Sequence, residues 1–307
     1  MVCFLYKLYY LKFSSLSLDN QYVKTMMFLA NLLIPLWYKI TGWLPAYRIK
    51  DHNSDRRDEY IVSLTSFPDR IHKVWIVIES ILRQKHKPDK IILWLYDREF
   101  EGKESLPRKL LGMERRGLHI EFCSRNLMPH LKYYYTMLKH PHSKVITIDD
   151  DIIYPVDLLH KLKLHHKRFP EAIVCALARE INYDGHDILP YHTWKNLNRS
   201  SVKPNFRYLP LGVGSVLYPT GSLHPDVFNV DKITRLALKT DDLWLKTMSL
   251  RNKSQVLSIS GEFPRVFIPI RNRKTKNLMD GNLNQGNNDR VMKELISYYQ
   301  IPESIFK

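Results

Sequence analysis

Between Tyr60 and Ala176 the chain alternates short apolar runs with stretches in which apolar residues recur every three or four positions. Tyr60 to Thr65 predicts a strand, and it closes on Ser66, Phe67, Pro68 and Asp69, turn chemistry that opens a helix. Ile71, Val74, Ile78 and Ile81 then share one helical face. A turn at Lys87, Pro88 and Asp89 leads into Lys90 to Tyr96, a nearly continuous apolar run of the kind buried on both faces of a parallel sheet. The unit repeats with a helix near Leu106 to Arg115, a strand from Leu118 to Cys123 and a helix carrying Leu131, Tyr134, Tyr135 and Leu138 on one face. A strand at Val145 to Ile148, a helix at Val156 to Phe169 and a strand at Ala172 to Ala176 follow. This alternation predicts an α/β fold: a doubly wound, mainly parallel central sheet with right-handed crossovers and helices on its flanks.

Past Ala176 the rhythm breaks. Ile181 to Pro210, with Tyr191 and Trp194, is too long for an ordinary connector and predicts a functional or lid-like region. Leu211 to Pro219 places Gly212 and Gly214 ahead of an apolar strand; such glycines let backbone approach a ligand, and a β-bulge uses them equally. Thr240 to Leu245 sets Asp241 and Asp242 at the start of an apolar helix, where either could be a cap. Arg271, Arg273, Lys274 and Lys276, followed by the Asn-rich Gly281 to Asp289, predict a flexible, phosphate-friendly segment. Nothing like a linker divides the chain after residue 58, so we divide it into an aromatic and basic extension over residues 1–58 and one domain over 59–307.

Within the extension the best apolar run is Met26 to Tyr38, broken by Asn31 and Pro35 and short of the roughly 20 residues needed to span a bilayer. No secretory signal pattern is visible. Trp37, Tyr38 and Trp43 suit the headgroup level and Lys24, Lys39, Arg48 and Lys50 suit anionic lipid, which predicts a peripheral element at the cytoplasmic face of a membrane. A helix packed on the domain's own surface, or a natural start at Met26, are the alternatives. The chain's 44% hydrophobic and 25% charged residues are those of a globular protein. Its net charge of +16 favours an anionic partner, whether nucleic acid, anionic lipid or a phosphorylated small molecule. Cys3, Cys123 and Cys175 are odd in number and lack paired spacing, which signals neither a disulfide framework nor a zinc site and fits a reducing cytoplasm.

Chemistry concentrates at Val145 to Pro155, where a short β-branched run ends in Asp149, Asp150 and Asp151. In open α/β sheets ligands bind outside the carboxyl ends of the strands. Three carboxylates so close repel one another unless they share positive charge, and a hard divalent cation completed by phosphate oxygens is the natural partner. A solvated acidic turn ahead of a helix is the plainer alternative, against which stand the apolar residues on both sides.

Val62 to Arg70 (V-S-L-T-S-F-P-D-R), the acidic triplet as a D-x-D signature, G-V-G-S-V-L-Y-P and D-D-L-W-L occur in that order. In this the chain resembles the GT-A glycosyltransferases, most of all bacterial enzymes of the family 2 type that build surface polysaccharides. The likeness covers Tyr60 to about Leu245, extendable to Asp289. It implies a nucleotide-diphosphate sugar donor, a UDP-sugar first, a saccharide or lipid-linked acceptor, and a divalent cation, Mn2+ or Mg2+; nucleic acid is not an expected partner. It further implies that Asp149 and Asp151 hold the metal, with Asp149 or Asp150 also reaching the donor. Ser63 and Thr65 would meet nucleobase and ribose, Arg70 and Lys132 the phosphates, and Gly212 and Gly214 would line the donor. Asp242 would act as general base with Asp241 in support. Some GT-A enzymes add a late histidine ligand, yet the last histidine here, His224, precedes the acidic pair. The metal would then rely on aspartates, phosphates and water, or Arg271 and Arg273 would neutralise phosphate instead. His165 and His166 are adjacent on a predicted helix, point in different directions and read as surface residues. Two rivals are a sugar-phosphate nucleotidyltransferase and a non-catalytic basic protein that binds nucleic acid or membrane. The first wants a Gly-rich loop where S-F-P-D-R stands, and the second leaves the acids unexplained.

Overall fold

A computed structural model of the protein describes residues 4–6, 21–49, 59–264, 267–271 and 286–307. In chain order its strands are β1 (Tyr60–Thr65), β2 (Lys90–Tyr96), β3 (Leu118–Cys123), β4 (Lys144–Thr147), β5 (Ile152–Ile153) and β6 (Ile173–Cys175). Then come β7 (Ala178–Glu180), β8 (Lys195–Asn196), β9 (Tyr208–Pro210), β10 (Val216–Tyr218), β11 (Val256–Ser258) and β12 (Ile268–Pro269). The principal helices are α1 (Gln21–Thr41), α2 (Val74–Leu82), α3 (Tyr134–Lys139), α4 (Leu158–Arg168), α5 (Asp241–Arg251) and α6 (Asn287–Tyr298).

Seven strands form the central sheet in the order β11-β6-β10-β4-β1-β2-β3. β4, β1, β2 and β3 run parallel, β10 enters antiparallel between β4 and β6, and β11 is parallel to β6. The mainly parallel α/β architecture is therefore as the alternation predicts. Both faces of the sheet are covered, which explains why β2 has no polar face. Ile91, Leu93 and Leu95 enter one core with α1, α2 and α4, while Ile92 and Trp94 enter the other with α3, α5 and α6.

The predicted helix near Leu106 to Arg115 is instead three short turns, Lys103–Ser105, Arg108–Leu111 and Glu114–Arg116. Pro107 and Gly112 punctuate the stretch, and Gly117 closes it at φ 102°. The long segment after Ala176 folds in part into a small antiparallel sheet of order β8-β7-β9. Around Asn287 to Asp289 the chain begins α6, whereas Arg273, Lys274, Lys276 and residues 281–285 lie outside the described residues. The thiols of Cys123 and Cys175 are free and buried, and Cys3 lies outside the described residues.

Helix α1 runs without interruption through Asn31 and Pro35. Val23, Met26, Ala30, Ile34 and Tyr38, spaced three or four apart, are buried against the domain. Arg83 of the chain just after α2 stacks its guanidinium 4.5 Å from the Tyr38 ring centre. The opposite face stays apolar and exposed, with Phe28, Leu32, Leu36 and Ile40 in one row and Trp43 beyond the helix end. Among the described residues no helix is long and apolar enough to cross a membrane.

Candidate active site

The three acids leave the carboxyl end of β4 beside the end of β1, with Ile148 N–H held by the carbonyl of Ser63 at 3.1 Å. Asp150 turns inward. Ser66 Oγ donates to its Oδ2 at 2.6 Å and Arg70 Nη1 to its Oδ1 at 2.7 Å. Arg70 stands on the helical turn Pro68–Ile71 and also reaches Asp151 Oδ2 at 2.8 Å. The side chains on either side of Asp150 stay nearer solvent: those of Asp149 and Asp151 are 29% and 25% exposed, against 7% for Asp150. The Tyr154 hydroxyl accepts the Asp149 N–H at 2.9 Å, fixing the turn from behind.

Asp241 and Asp242, far along the chain, arrive at the same place on the first turn of α5. The helix N-cap is Thr240, which makes no side-chain cap bond, so neither acid is the cap. Lys132 Nζ lies 2.8 Å from Asp149 Oδ1 and 2.8 Å from Asp241 Oδ2, bridging the two acidic groups. Asp242 accepts the Gly212 N–H on both oxygens, at 3.1 and 3.2 Å. A Cβ at Gly212 would stand 2.7 Å from Lys132 Nζ and 3.0 Å from Asp242 Oδ1, so glycine is what lets the bridge form. Gly214 serves packing instead, since a Cβ there would lie 2.5 Å from Leu177 Cβ.

Burial and charge then divide the carboxylates. Burial would pull the Lys132 ammonium down, but Asp149, Asp241 and Asp242 outweigh it and hold its proton well above the ordinary range. Burial would raise Asp241, yet Lys132 and His130 keep it below the usual carboxylate range. Burial, with the Asp241 anion beside it, pushes Asp242 up. Burial and then the Asp149 charge push Asp151 up to about 7 despite Arg70. Burial also raises Asp150 against the pull of Arg70. Asp242 and Asp151 thus hold a proton more tightly than free carboxylates do, the condition for a base or for a group seeking a cation.

The structure brings together Arg70, Lys132, Asp149, Asp150, Asp151, Gly212, Asp241 and Asp242. Lys132 is directed into the acid cluster and is 5% exposed. Ser63 is fully buried, its Oγ 2.6 Å from Thr136 Oγ1 beneath α3, so its side chain does not join the cleft. Thr65 Oγ1 donates to the Trp94 carbonyl at 3.0 Å. His165 is paired with Glu262 at 2.5 Å and His166 is buried, so the two do point apart, though only one is at the surface. Ser66 and Tyr154 carry no sequence signal of their own, although both lie inside stretches whose pattern marks them out. β12 and Ile270 just after it likewise give no signal, and Ile270 N–H donates to the Asp151 carbonyl at 2.6 Å.

No family model and no curated protein matches the sequence. Among solved structures the chain is similar to a mannosyltransferase from Pyrobaculum calidifontis in complex with GDP-Man and Mn2+, at 12% identity and a TM-score of 0.48 over 97% of this chain and 76% of that one. It is also similar to S. aureus TarS 1–349 in complex with UDP, at 10% identity and a TM-score of 0.46 over 67% and 59% of the two chains. A third similar structure is a 4-diphosphocytidyl-2C-methyl-D-erythritol synthase, at 11% identity and a TM-score of 0.40 over 76% and 98%. The chain's own residues have the donor chemistry of a hard-cation site: Asp149 and Asp151 are partly exposed carboxylates, each pairing with a base through one oxygen, Asp149 with Lys132 and Asp151 with Arg70.

Proposed function

We propose that the protein is a glycosyltransferase that moves a sugar from a nucleotide-diphosphate donor, a UDP-sugar first, to a saccharide or lipid-linked acceptor in bacterial polysaccharide synthesis. The observation that carries this is the convergence of Asp149 with Asp241 and Asp242 around Lys132 and Gly212 at the carboxyl ends of the parallel strands, with Asp151 two residues on beside Arg70. In the reaction the anomeric C–O bond to the diphosphate breaks, the acceptor oxygen bonds to the anomeric carbon, and its proton leaves to a base. A divalent cation held by Asp149 and Asp151 would neutralise charge developing on the diphosphate. Arg70 braces Asp150 and Asp151, so it fixes the donor-side carboxylates and presents positive charge at the same edge. Asp242 is the acceptor's base, and Asp241, tied to Lys132, holds the pair in register. Incubation with a panel of nucleotide sugars and Mn2+ tests the reading. Release of nucleoside diphosphate, abolished by chelator and by Asp151→Asn, is the expected result. Release of pyrophosphate from nucleoside triphosphate and sugar phosphate would instead make it a nucleotidyltransferase.

The exposed face of α1 adds a place of action. Phe28, Leu32, Leu36 and Ile40 recur every fourth residue and Trp43 is 72% exposed, while Lys24 and Lys39 are also exposed on α1. Such a face on a chain of net charge +16 fits an anionic bilayer surface, and we assign it peripheral contact at the cytoplasmic face. The full chain should therefore sediment with anionic vesicles at low salt and do so less as salt screens the lysines. Leu32→Glu with Leu36→Glu should remove most of that binding; equal sedimentation of the variant would sink the assignment.

A further inference from the structure

We infer that Asn31 is a positioning residue for the donor site, which makes α1 a built-in part of that site; the inference rests on the glycosyltransferase reading. Both ends of the Asn31 amide are used on one stretch of backbone, the end of β12 and the two residues after it. Nδ2 donates to the Pro269 carbonyl at 2.9 Å and Oδ1 accepts the Arg271 N–H at 3.0 Å. Between those two residues lies Ile270, whose N–H holds the Asp151 carbonyl at 2.6 Å. Asp151 is thus fixed from two sides, by Arg70 on its carboxylate and by Ile270 on its backbone, and the residues on either side of Ile270 are held by Asn31.

The strand needs such a clamp. Its pairing with the chain that follows the acids covers only Ile268 opposite Ile153 and Pro269 opposite Ile152. A two-residue ladder is too short to hold its own register. Two further side chains pin the same segment: Lys73 Nζ, one turn beyond Arg70, reaches the Arg271 carbonyl, and the Tyr6 hydroxyl joins the Ile153 carbonyl and the Ile268 N–H. Asn31 also donates to the Met27 carbonyl at 2.9 Å, which anchors its side chain to its own helix. The helix that presents an apolar face outward therefore grips, through one amide, the backbone behind a donor-side carboxylate. Groups bonded directly to a metal ligand typically govern roughly tenfold to hundredfold in affinity, and Asn31 acts one step further out, through the backbone that holds Asp151.

The test compares full-length Asn31→Ala with Ile34→Ala, a variant of the same helix whose side chain is fully buried. Three readouts separate clamp from packing: amide exchange at Ile270, Mn2+-supported binding of UDP and GDP by calorimetry, and melting temperature. Asn31→Ala should speed exchange at Ile270 and weaken nucleotide binding by roughly tenfold with little change in melting. Ile34→Ala should melt earlier and keep both exchange at Ile270 and nucleotide affinity. The inference is overturned if Asn31→Ala exchanges and binds as the wild type does, or if both variants lose affinity in step with their melting temperatures. If the wild type binds neither nucleotide, the glycosyltransferase reading fails and the donor-site role goes with it. Faster exchange at Ile270 in Asn31→Ala would then support only the contact itself.

Discussion

Asp242→Asn leaves the fold and donor affinity in place and lowers sugar transfer by roughly a hundred- to ten-thousand-fold, the usual loss when a positioned base is removed. The substitution keeps size and one oxygen for the Gly212 N–H, which now binds both carboxylate oxygens at 3.1 and 3.2 Å. What it removes is a carboxylate made more basic by burial and by Asp241. Such a group is protonated in the folded enzyme until the pH passes its raised pKa, so wild-type transfer should climb with pH and the climb should vanish in the variant. Asp241→Asn acts differently. It leaves the buried Lys132 ammonium with Asp149 as its one close partner and removes the charge beside Asp242, so it should destabilise the protein as well as slow it. Transfer rate, donor affinity and melting temperature measured on both variants separate the roles. An Asp242→Asn enzyme that melts early yet still transfers sugar would place the base elsewhere.

The parts of this site that could be read from sequence are those whose meaning is local. β1, β2 and β3 fall at the predicted bounds because apolar runs of the right length sit between turn residues such as Pro68 and Pro88. The acidic triplet is legible because a strand visibly runs into it. Lys132 shows the limit. Its residue type suggests a phosphate contact, and only the meeting of three distant segments reveals that it bridges Asp149 and Asp241. Asp241 and Asp242 look like caps by position, yet Thr240 occupies the cap and tertiary partners take both acids. In α1, Asn31 and Pro35 look like breaks. Packing of Val23, Met26, Ala30, Ile34 and Tyr38 carries the helix through both, and the polar side chain that looks like an interruption bonds, besides its own helix, to backbone more than two hundred residues away. β11 and β12 carry no comparable local signal, since two- and three-residue strands are too short to show a period.

Lys246→Met should raise the melting temperature, and by more at acid than at alkaline pH. Lys246 lies one turn beyond Asp242 on α5, is 1% exposed, and its ammonium finds no hydrogen-bond partner among the described residues. Burial pulls its pKa down to about 7, a fall that the neighbouring Cys175 offsets only in part. In the unfolded chain a lysine titrates near 10.4, and every tenfold loss of proton affinity on folding corresponds to about 1.4 kcal/mol. Between roughly pH 7 and 10 the unfolded state therefore binds a proton that the folded state lacks, and stability rises with pH across that window. Below about 7 both states are charged and the whole penalty, on the order of a few kcal/mol, is present. Methionine is of similar length and carries no charge, so it recovers that penalty and fills the same space. Against a conversion of about 2–4 °C per kcal/mol for a domain near this size, the gain should be roughly 5–10 °C below pH 7 and shrink steadily toward pH 10. Calorimetric melts of wild type and variant at a series of pH values give the answer. A gap that does not change with pH would mean that Lys246 is not buried as a charged group in the acid range, and a variant that melts lower throughout would mean its ammonium has a partner that the fold depends on.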